Sequence, residues 1–329
     1  MPETKSIVVS HRKDADGLTS ASLIRYMTGA DVYLTDYADM IETLEKVEPA
    51  SNVFICDLGL NPNTFSGFLE QIGRLSKDGS VHYIDHHPLK PEYYSKLKEA
   101  GVDLFHSTDE SAAVLVYKKY QEKLGTPKMK IVACCGAITD YLDSQRFAKK
   151  LISSFDRQFL LYEATVLSFA IAAIGRGPDS NDAALVSIVH QLASGKLPHE
   201  IDDAANLAKE HAARSEELIE LVARNGIKRK NFAYYLTKES ATGNVANFLV
   251  GAFDVPVGVS LREEDGFYEI SLRSTEDSKQ DLGKIIGRIA ARLSASGGGH
   301  PHASGARIRQ SQLEEFLSML DDELSLPAN

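Results

Sequence analysis

Four short apolar runs in the first half of the chain each end in acidic or histidine residues. Ile7-Val8-Val9-Ser10 runs into His11, Asp14 and Asp16, and Val53-Phe54-Ile55-Cys56 into Asp57. Val81-His82-Tyr83-Ile84 runs into Asp85, His86 and His87, and Ala137-Ile138-Thr139 into Asp140. β-rich stretches closed by polar breaks read as buried strands of a parallel sheet. Helical patterns fall between them, over residues 18–27, 41–47, 64–75 and 111–121, the last with Ser111 as its cap, and residues 32–34 read as one more strand. This alternation predicts a doubly wound α/β domain. In such sheets the ligand crevice lies beyond the carboxyl ends of the strands, so the four clusters would converge on one edge.

Residues 145–226 read as almost wholly helical, with an Ala/Glu/Lys/Arg-rich connecting helix over 207–222 closed by Asn225-Gly226. A second pattern follows. Strands are expected over 231–236, 255–261 and 267–273, the last two paired as a hairpin across Glu263-Glu264-Asp265-Gly266. Helices are expected over 243–253 and 281–294, then a Gly-rich turn over 296–305, a short strand over 306–308 and a terminal helix from Ser311. The expected organisation is a metal-binding catalytic domain over 1–190, a helical linker over 191–228, and a smaller α/β domain with a mixed sheet over 229–329.

Composition narrows the function. A chain of 329 residues, 43% hydrophobic and 25% charged, is expected to be globular with two ordinary cores. No apolar stretch is expected to reach the roughly 20 residues that span a bilayer, so no membrane partner is expected. The start is expected to enter a strand almost at once, so no secretory leader is expected. Cys56, Cys134 and Cys135 sit in apolar segments without metal-finger spacing, so reduced thiols and a cytoplasmic location are expected. The adjacent Cys134 and Cys135 read as small hydrophobes rather than a redox pair. The net charge of −10 argues against a grip on long nucleic acid, which needs a basic stripe. A polyanionic substrate should be short, or met by a local basic pocket and by metal ions.

Carboxylates mixed with imidazoles suit Mn²⁺, Mg²⁺, Zn²⁺ or Fe²⁺, and the lack of thiolates at the cluster disfavours structural zinc. Asp14 and Asp16 are two residues apart. A turn after the strand would let two ions about 3.5–4 Å apart each take one of them, with Asp57 bridging. Such a centre activates a hydroxide and neutralises a phosphoryl oxygen, which points to hydrolysis of a phosphate ester. Asp143 is a weaker ligand candidate. In the second half, Gly297, Gly298 and Gly299 would let backbone N–H groups form an anion nest, His300 could donate to it, and Arg273 could clamp a phosphate. His302, Lys279 and Arg176 are lesser candidates for the same work.

Asp85-His86-His87 resembles the signature of the DHH phosphoesterases, and Asp14-Ala-Asp-Gly, Asp57 and Asp140 match that family's other three motifs in order. Gly297-Gly-Gly-His300 with Ala303 and Gly305, together with Ser271-Leu-Arg-Ser274, resembles the DHH-associated C-terminal domain. The resemblance implies two Mn²⁺ ions, with Mg²⁺ or another divalent ion as substitutes. His11, Asp14 and Asp57 would hold one, and Asp16, Asp57, His86 and Asp140 the other. It makes Asp57, His86 and His87 catalytic, with His87 facing the substrate phosphate and Asp85 supporting a histidine. Arg273, Ser274, Gly297, Gly298, Gly299 and His300 become substrate-binding residues. One departure stands out: two residues separate His11 from Asp14, where the family commonly has three.

The implied activity is a Mn²⁺-dependent phosphodiesterase acting on short oligonucleotides or on linear or cyclic dinucleotides, releasing 5′-mononucleotides. A RecJ-like single-strand exonuclease is the first alternative, because Asp14-Ala-Asp-Gly is similar to that branch. The lack of tryptophan and of a third nucleic-acid-binding domain weighs against it. A non-catalytic module binding nucleic acid or a replication partner predicts lost ligands, and nearly all are retained. An inorganic pyrophosphatase or polyphosphatase is less favoured, since the glycine motif resembles the nucleotide-acting branch. A homodimer stays open.

Overall fold

The computed structural model describes residues 5–48, 52–77, 79–175, 182–239 and 241–326. The chain divides into two compact units, residues 1–212 and 213–329.

The first unit begins with β1 (Ser6–His11), α1 (Ala15–Thr28), β2 (Asp31–Thr35), α2 (Met40–Glu45) and β3 (Asn52–Cys56). It continues with α3 (Phe65–Leu75), β4 (Ser80–Asp85), α4 (Pro91–Glu99), β5 (Asp103–His106) and α5 (Ala112–Lys119). These strands are all parallel, in the order β2-β1-β3-β4-β5. Side chains alternate between two buried faces, as a parallel sheet covered on both sides requires. Ile7, Val9, Val53, Ile55 and Tyr83 join one core with α2, α3 and α4, while Val8, Phe54, Cys56 and Ile84 join the other. The order reverses between β1 and β3. A doubly wound sheet opens its ligand crevice at that reversal, beyond the strands' carboxyl ends.

More helices follow in this unit: α6 (Pro127–Thr139), α7 (Arg146–Ile152), α8 (Arg157–Ile174), α9 (Asp182–Ala193) and α10 (Ala204–Asn225), the last crossing into the second unit. Here one expectation fails. Residues 137–139 are not a strand but the last turn of α6, which starts at the Thr126 cap with Pro127 in its first turn. A short apolar run does not separate a strand from a buried helix by periodicity. This helix is apolar nearly all round because it packs against α1, α5 and α8 at once. α4 and β5 had no counterpart in the sequence pattern. A further correction concerns α8, whose 18 residues are long and apolar enough to cross a membrane by length and composition. Its Leu160, Ala164, Leu167 and Ala170 are buried in the core, and its central Glu163 accepts a bond from the His199 N–H at 3.0 Å.

The second unit contains β6 (Ile227–Lys228), β7 (Phe232–Thr237), α11 (Thr242–Phe253), β8 (Val257–Glu264) and β9 (Phe267–Ser274). It ends with α12 (Leu282–Arg292), β10 (Ser296–His300), β11 (Ala303–Arg309) and α13 (Leu313–Ser325). The mixed sheet has the order β10-β11-β9-β8-β7-β6, with β7 and β8 parallel and joined by α11. The expected hairpin is β8 and β9.

The glycine motif is not the nest-forming turn expected. Gly297–His300 forms the edge strand β10, paired with a β11 that is longer than the strand expected there. Gly298 and Gly299 adopt φ of 152° and 143°, which side-chain-bearing residues rarely reach. A Cβ on Gly283 of α12 would lie 2.3 Å from the Gly299 carbonyl oxygen, so bare backbones let helix and strand touch.

Candidate metal centre

The centre is assembled at the β1/β3 reversal. His11 is the last residue of β1, and Asp14 caps α1, its Oδ1 accepting from the Gly17 N–H at 2.9 Å. Despite the shortened spacing, His11 Nδ1 lies 2.7 Å from Asp14 Oδ2. Asp57 follows β3 with φ 57°, a left-handed conformation that aspartate tolerates better than most residues. Its N–H donates to the Ile84 carbonyl at 3.1 Å. The carboxylate then faces both ways, Oδ1 lying 3.2 Å from His86 Nε2 and Oδ2 3.9 Å from His11 Nδ1.

Around His86 Nε2 gather three carboxylate oxygens: Asp57 Oδ1, Asp140 Oδ2 at 3.5 Å and Asp16 Oδ2 at 3.9 Å. Asp140 arrives as the C-cap of α6. Asp16 is aimed by two amides at the start of α5, accepting from Ala112 at 2.7 Å and Ala113 at 3.0 Å. The residues expected around two ions therefore fall into two groups, His11/Asp14/Asp57 and Asp16/His86/Asp140, with Asp57 between them.

The donor set suits divalent cations. Asp57 Oδ2 and His11 Nε2 are buried without a hydrogen-bond partner. An unmet buried acceptor costs about 1–3 kcal/mol, which a cation would offset. Burial, then the charges of Asp14, Asp16, Asp85 and Asp140, pushes the Asp57 carboxyl well above its ordinary range. Burial raises Asp16 to about 7 and Asp140 to about 8, with neighbouring carboxylates adding to both. Burial opposes ionisation of Asp14 too, but the His11 imidazole holds it down at about 2. Burial, then His87, lowers His86 to about 4, leaving the neutral imidazole that metal binding requires. Divalent charge placed here would reverse the carboxylate shifts.

His87 is braced on both ring nitrogens, Nδ1 by Asp85 Oδ1 at 2.9 Å and Nε2 by the Tyr37 hydroxyl at 3.1 Å. Asp85 Oδ2 also accepts from the Tyr83 hydroxyl and the His87 N–H, each at 3.1 Å. The sequence pattern did not single out Tyr37 or Asp36, although Asp36 Oδ1 lies 3.5 Å from His11 Nε2. The signal existed: both follow β2, whose carboxyl end opens on the same edge as β1 and β3. Asp143 instead faces Arg157 at 3.9 Å. Arg176 lies outside the described residues.

In the second unit, strand register places His300, Ala303 and Arg273 side by side across β10, β11 and β9. Ser274 Oγ sits 3.0 Å from His302 Nδ1. At the start of α11, a Cβ on Gly243 would lie 2.6 Å from the Arg273 guanidinium, which seats that side chain against the helix. Gly297–Gly299 flank this row on the exposed edge strand. Lys279 lies in the connection between β9 and α12, outside the row.

The chain resembles known proteins in its domains and its fold. Residues 5–139 match the DHH family N-terminal domain, and residues 230–326 match the DHHA1 domain. No curated protein matches the chain. Among solved structures, the pGpG-specific phosphodiesterase PggH from Vibrio cholerae aligns at a TM-score of 0.62 and 16% identity, covering 97% of this chain and 98% of that one. The DHH domain of a member of the s1p family of ribosomal proteins gives 0.71 and 14%, covering 99% and 88%. RecJ from Thermus thermophilus in complex with Mn²⁺ gives 0.62 and 18%, covering 98% of this chain but only 52% of RecJ. At these identities the likeness is one of fold. Two domain matches in the expected order, joined by a shared fold over nearly the whole length, make the chain a member of the DHH phosphoesterase superfamily with a DHHA1 domain in its second unit.

Proposed function

We propose that this protein is a Mn²⁺-dependent phosphodiesterase that hydrolyses dinucleotides and short oligonucleotides to 5′-mononucleotides. The observation that carries the reading is Asp57, one buried carboxylate turning an oxygen to each of two donor groups. His11, Asp14 and Asp57 would hold one cation, and Asp16, Asp57, His86 and Asp140 the other. When bound, two such cations supply Lewis acidity at a phosphoryl oxygen and lower the pKa of a water.

The chain's own groups position the rest. The amides of Ala112 and Ala113 fix Asp16, and Asp85 with Tyr37 fixes the ring of His87. Burial opposes a charge on His87, but Asp85 outweighs it and raises the imidazole pKa. A phosphate oxygen taking the hydroxyl's place at Nε2 would thus meet an imidazolium donor. Arg273, Ser274, His300 and the Gly297–Gly299 edge are assigned to binding another part of the nucleotide. The full ligand set favours an enzyme over a degenerate binding module.

Turnover of di- to decanucleotides, cyclic dinucleotides and a long 5′-phosphorylated strand, each with manganese, tests the reading. Dinucleotides and short oligomers should be cleaved fastest, with activity abolished by EDTA. A preference for the long strand would favour an exonuclease, and no turnover at all would favour the binding module. His300→Ala should raise KM for a dinucleotide about tenfold with metal content unchanged, as expected for loss of a charge-assisted hydrogen bond. Metal loss in that variant would refute the assignment of His300 to substrate.

A further inference from the structure

Beyond the metal centre, the first unit carries an exposed aromatic and a basic cavity that the proposed chemistry does not use. Tyr141 directly follows Asp140 and is 85% exposed; no other large apolar side chain among those described exceeds 57%. Its φ is 58°. It occupies the position after the C-cap of α6, where the Leu142 N–H bonds the Ala137 carbonyl at 2.9 Å and the Tyr141 N–H bonds that of Ile138 at 3.3 Å. This left-handed position normally takes glycine or asparagine. A bulky aromatic there is strained, and its ring gains no burial in return.

Five residues further on, at most roughly 18 Å of extended chain, α7 begins. Between α7 and α5 lies a cavity of about 420 Å³ lined by Lys118, Arg146, Lys150, Phe147, Ser107 and the acidic pair Asp109 and Glu110. Glu110 is already engaged, its oxygens accepting from the N–H groups of Phe147 at 2.6 Å and Ala148 at 3.0 Å. Lys118 stands over the Phe147 ring, 5.6 Å from its centroid. Among the described residues none of the three cations has a carboxylate partner within 4 Å. With Asp109 and Glu110 on the same wall, the three cations leave this cavity a net positive lining in a chain of net charge −10. The cavity runs along α5 from Ser107 back to Lys118, and Ser107 follows the carboxyl end of β5, whose terminal His106 bonds the His87 carbonyl at 2.6 Å. Its Ser107 end therefore lies toward the sheet edge that carries the metal centre.

We propose that the surface from Tyr141 to this cavity is a track for single-stranded nucleic acid, with a base stacked on Tyr141 and strand phosphates met by Lys118, Arg146 and Lys150. Every base offers a π-face, so stacking binds without reading sequence, and the cations track the backbone. The proposal rests on the phosphodiesterase reading for the class of ligand, but its test needs no turnover.

The probe is fluorescein-labelled hexathymidylate with phosphorothioate linkages, its binding followed by anisotropy in manganese across a salt series. Tyr141→Ala should weaken binding about tenfold, while Tyr141→Phe should bind as wild type. Tyr141→Asn should bind as weakly as the alanine variant yet melt about 2–4 °C higher, because asparagine accepts the left-handed backbone. The triple variant Lys118→Gln/Arg146→Gln/Lys150→Gln should lower the slope of log Kd against log salt by about two, near 0.7 for each single-strand phosphate no longer neutralised. All variants should hydrolyse the p-nitrophenyl ester of thymidine 5′-phosphate at the wild-type rate. Unchanged hexamer affinity and slope in the alanine and triple variants would overturn the track, as would a wild type that fails to bind at low salt or a phenylalanine variant as weak as alanine. A wild type that binds through these residues but cleaves no phosphodiester would sink the enzymatic reading and leave the track standing.

Discussion

Asp57→Asn should cut manganese-dependent hydrolysis of a dinucleotide by at least about 10³-fold, beyond the 10–100-fold that loss of a ligand's supporting residue causes. Asparagine keeps the shape and accepts the φ of 57°, so the backbone need not move. What it loses is the charge that would be shared between two cations. The same substitution should act oppositely on stability in EDTA. Asp57 is 2% exposed and surrounded by Asp14, Asp16, Asp85 and Asp140. Removing a buried, repelled carboxyl should raise the melting temperature of the chelated protein by a few degrees. Calorimetry in EDTA, metal content by mass spectrometry and steady-state rates together decide the matter. Wild-type activity in the variant would refute the dinuclear centre, and a lower melting point in EDTA would show that charge repulsion is not concentrated at this cluster.

The convergence of the site was legible because one rule sufficed: in a parallel sheet, whatever follows each strand lands on the same edge. His11, Asp57 and the Asp85-His86-His87 run obey it. Asp140 reached the right place by the wrong element, since a helix C-terminus can deliver a side chain to the crevice as well as a strand end. Tyr37 was not legible because β2 shows only the three-residue apolar run Val32-Tyr33-Leu34 and a partly exposed start, a weaker signal than the fully buried runs of β1 and β3. The glycines of β10 show a different limit. Three in a row are equally consistent with an amide nest and with an edge strand, and the pairing with β11, not the glycines themselves, makes them a strand. Tyr141 is the reverse case, a residue that local backbone rules would exclude from its position and that sequence periodicity treats as unremarkable.

Gly136→Ala in α6 sets helix propensity against packing, and packing should win. In an open helix interior the change is worth about 1 kcal/mol in favour of alanine. At Gly136 the new Cβ would lie 2.5 Å from Asp16 Oδ1, 2.7 Å from Ala113 Cβ and 2.8 Å from Thr19 Oγ1. None of these is a free end. The Asp16 carboxylate is held by two α5 amides, Thr19 Oγ1 bonds the Ala15 carbonyl at 2.7 Å, and Ala113 is buried in α5. Overpacking a tight core costs about 1–3 kcal/mol, and here the displaced group is also an assigned cation ligand. The variant should therefore melt several degrees lower, at about 2–4 °C per kcal/mol, and bind Mn²⁺ about 10–100-fold more weakly. Gly73→Ala in α3 is the matched control: its Cβ would meet nothing within 4 Å, so helix propensity acts alone and stability should rise. A Gly136→Ala protein as stable as wild type, with its manganese affinity intact, would mean that α6 does not press on α1 and α5. Asp16 would then lose the packing that aims it at His86.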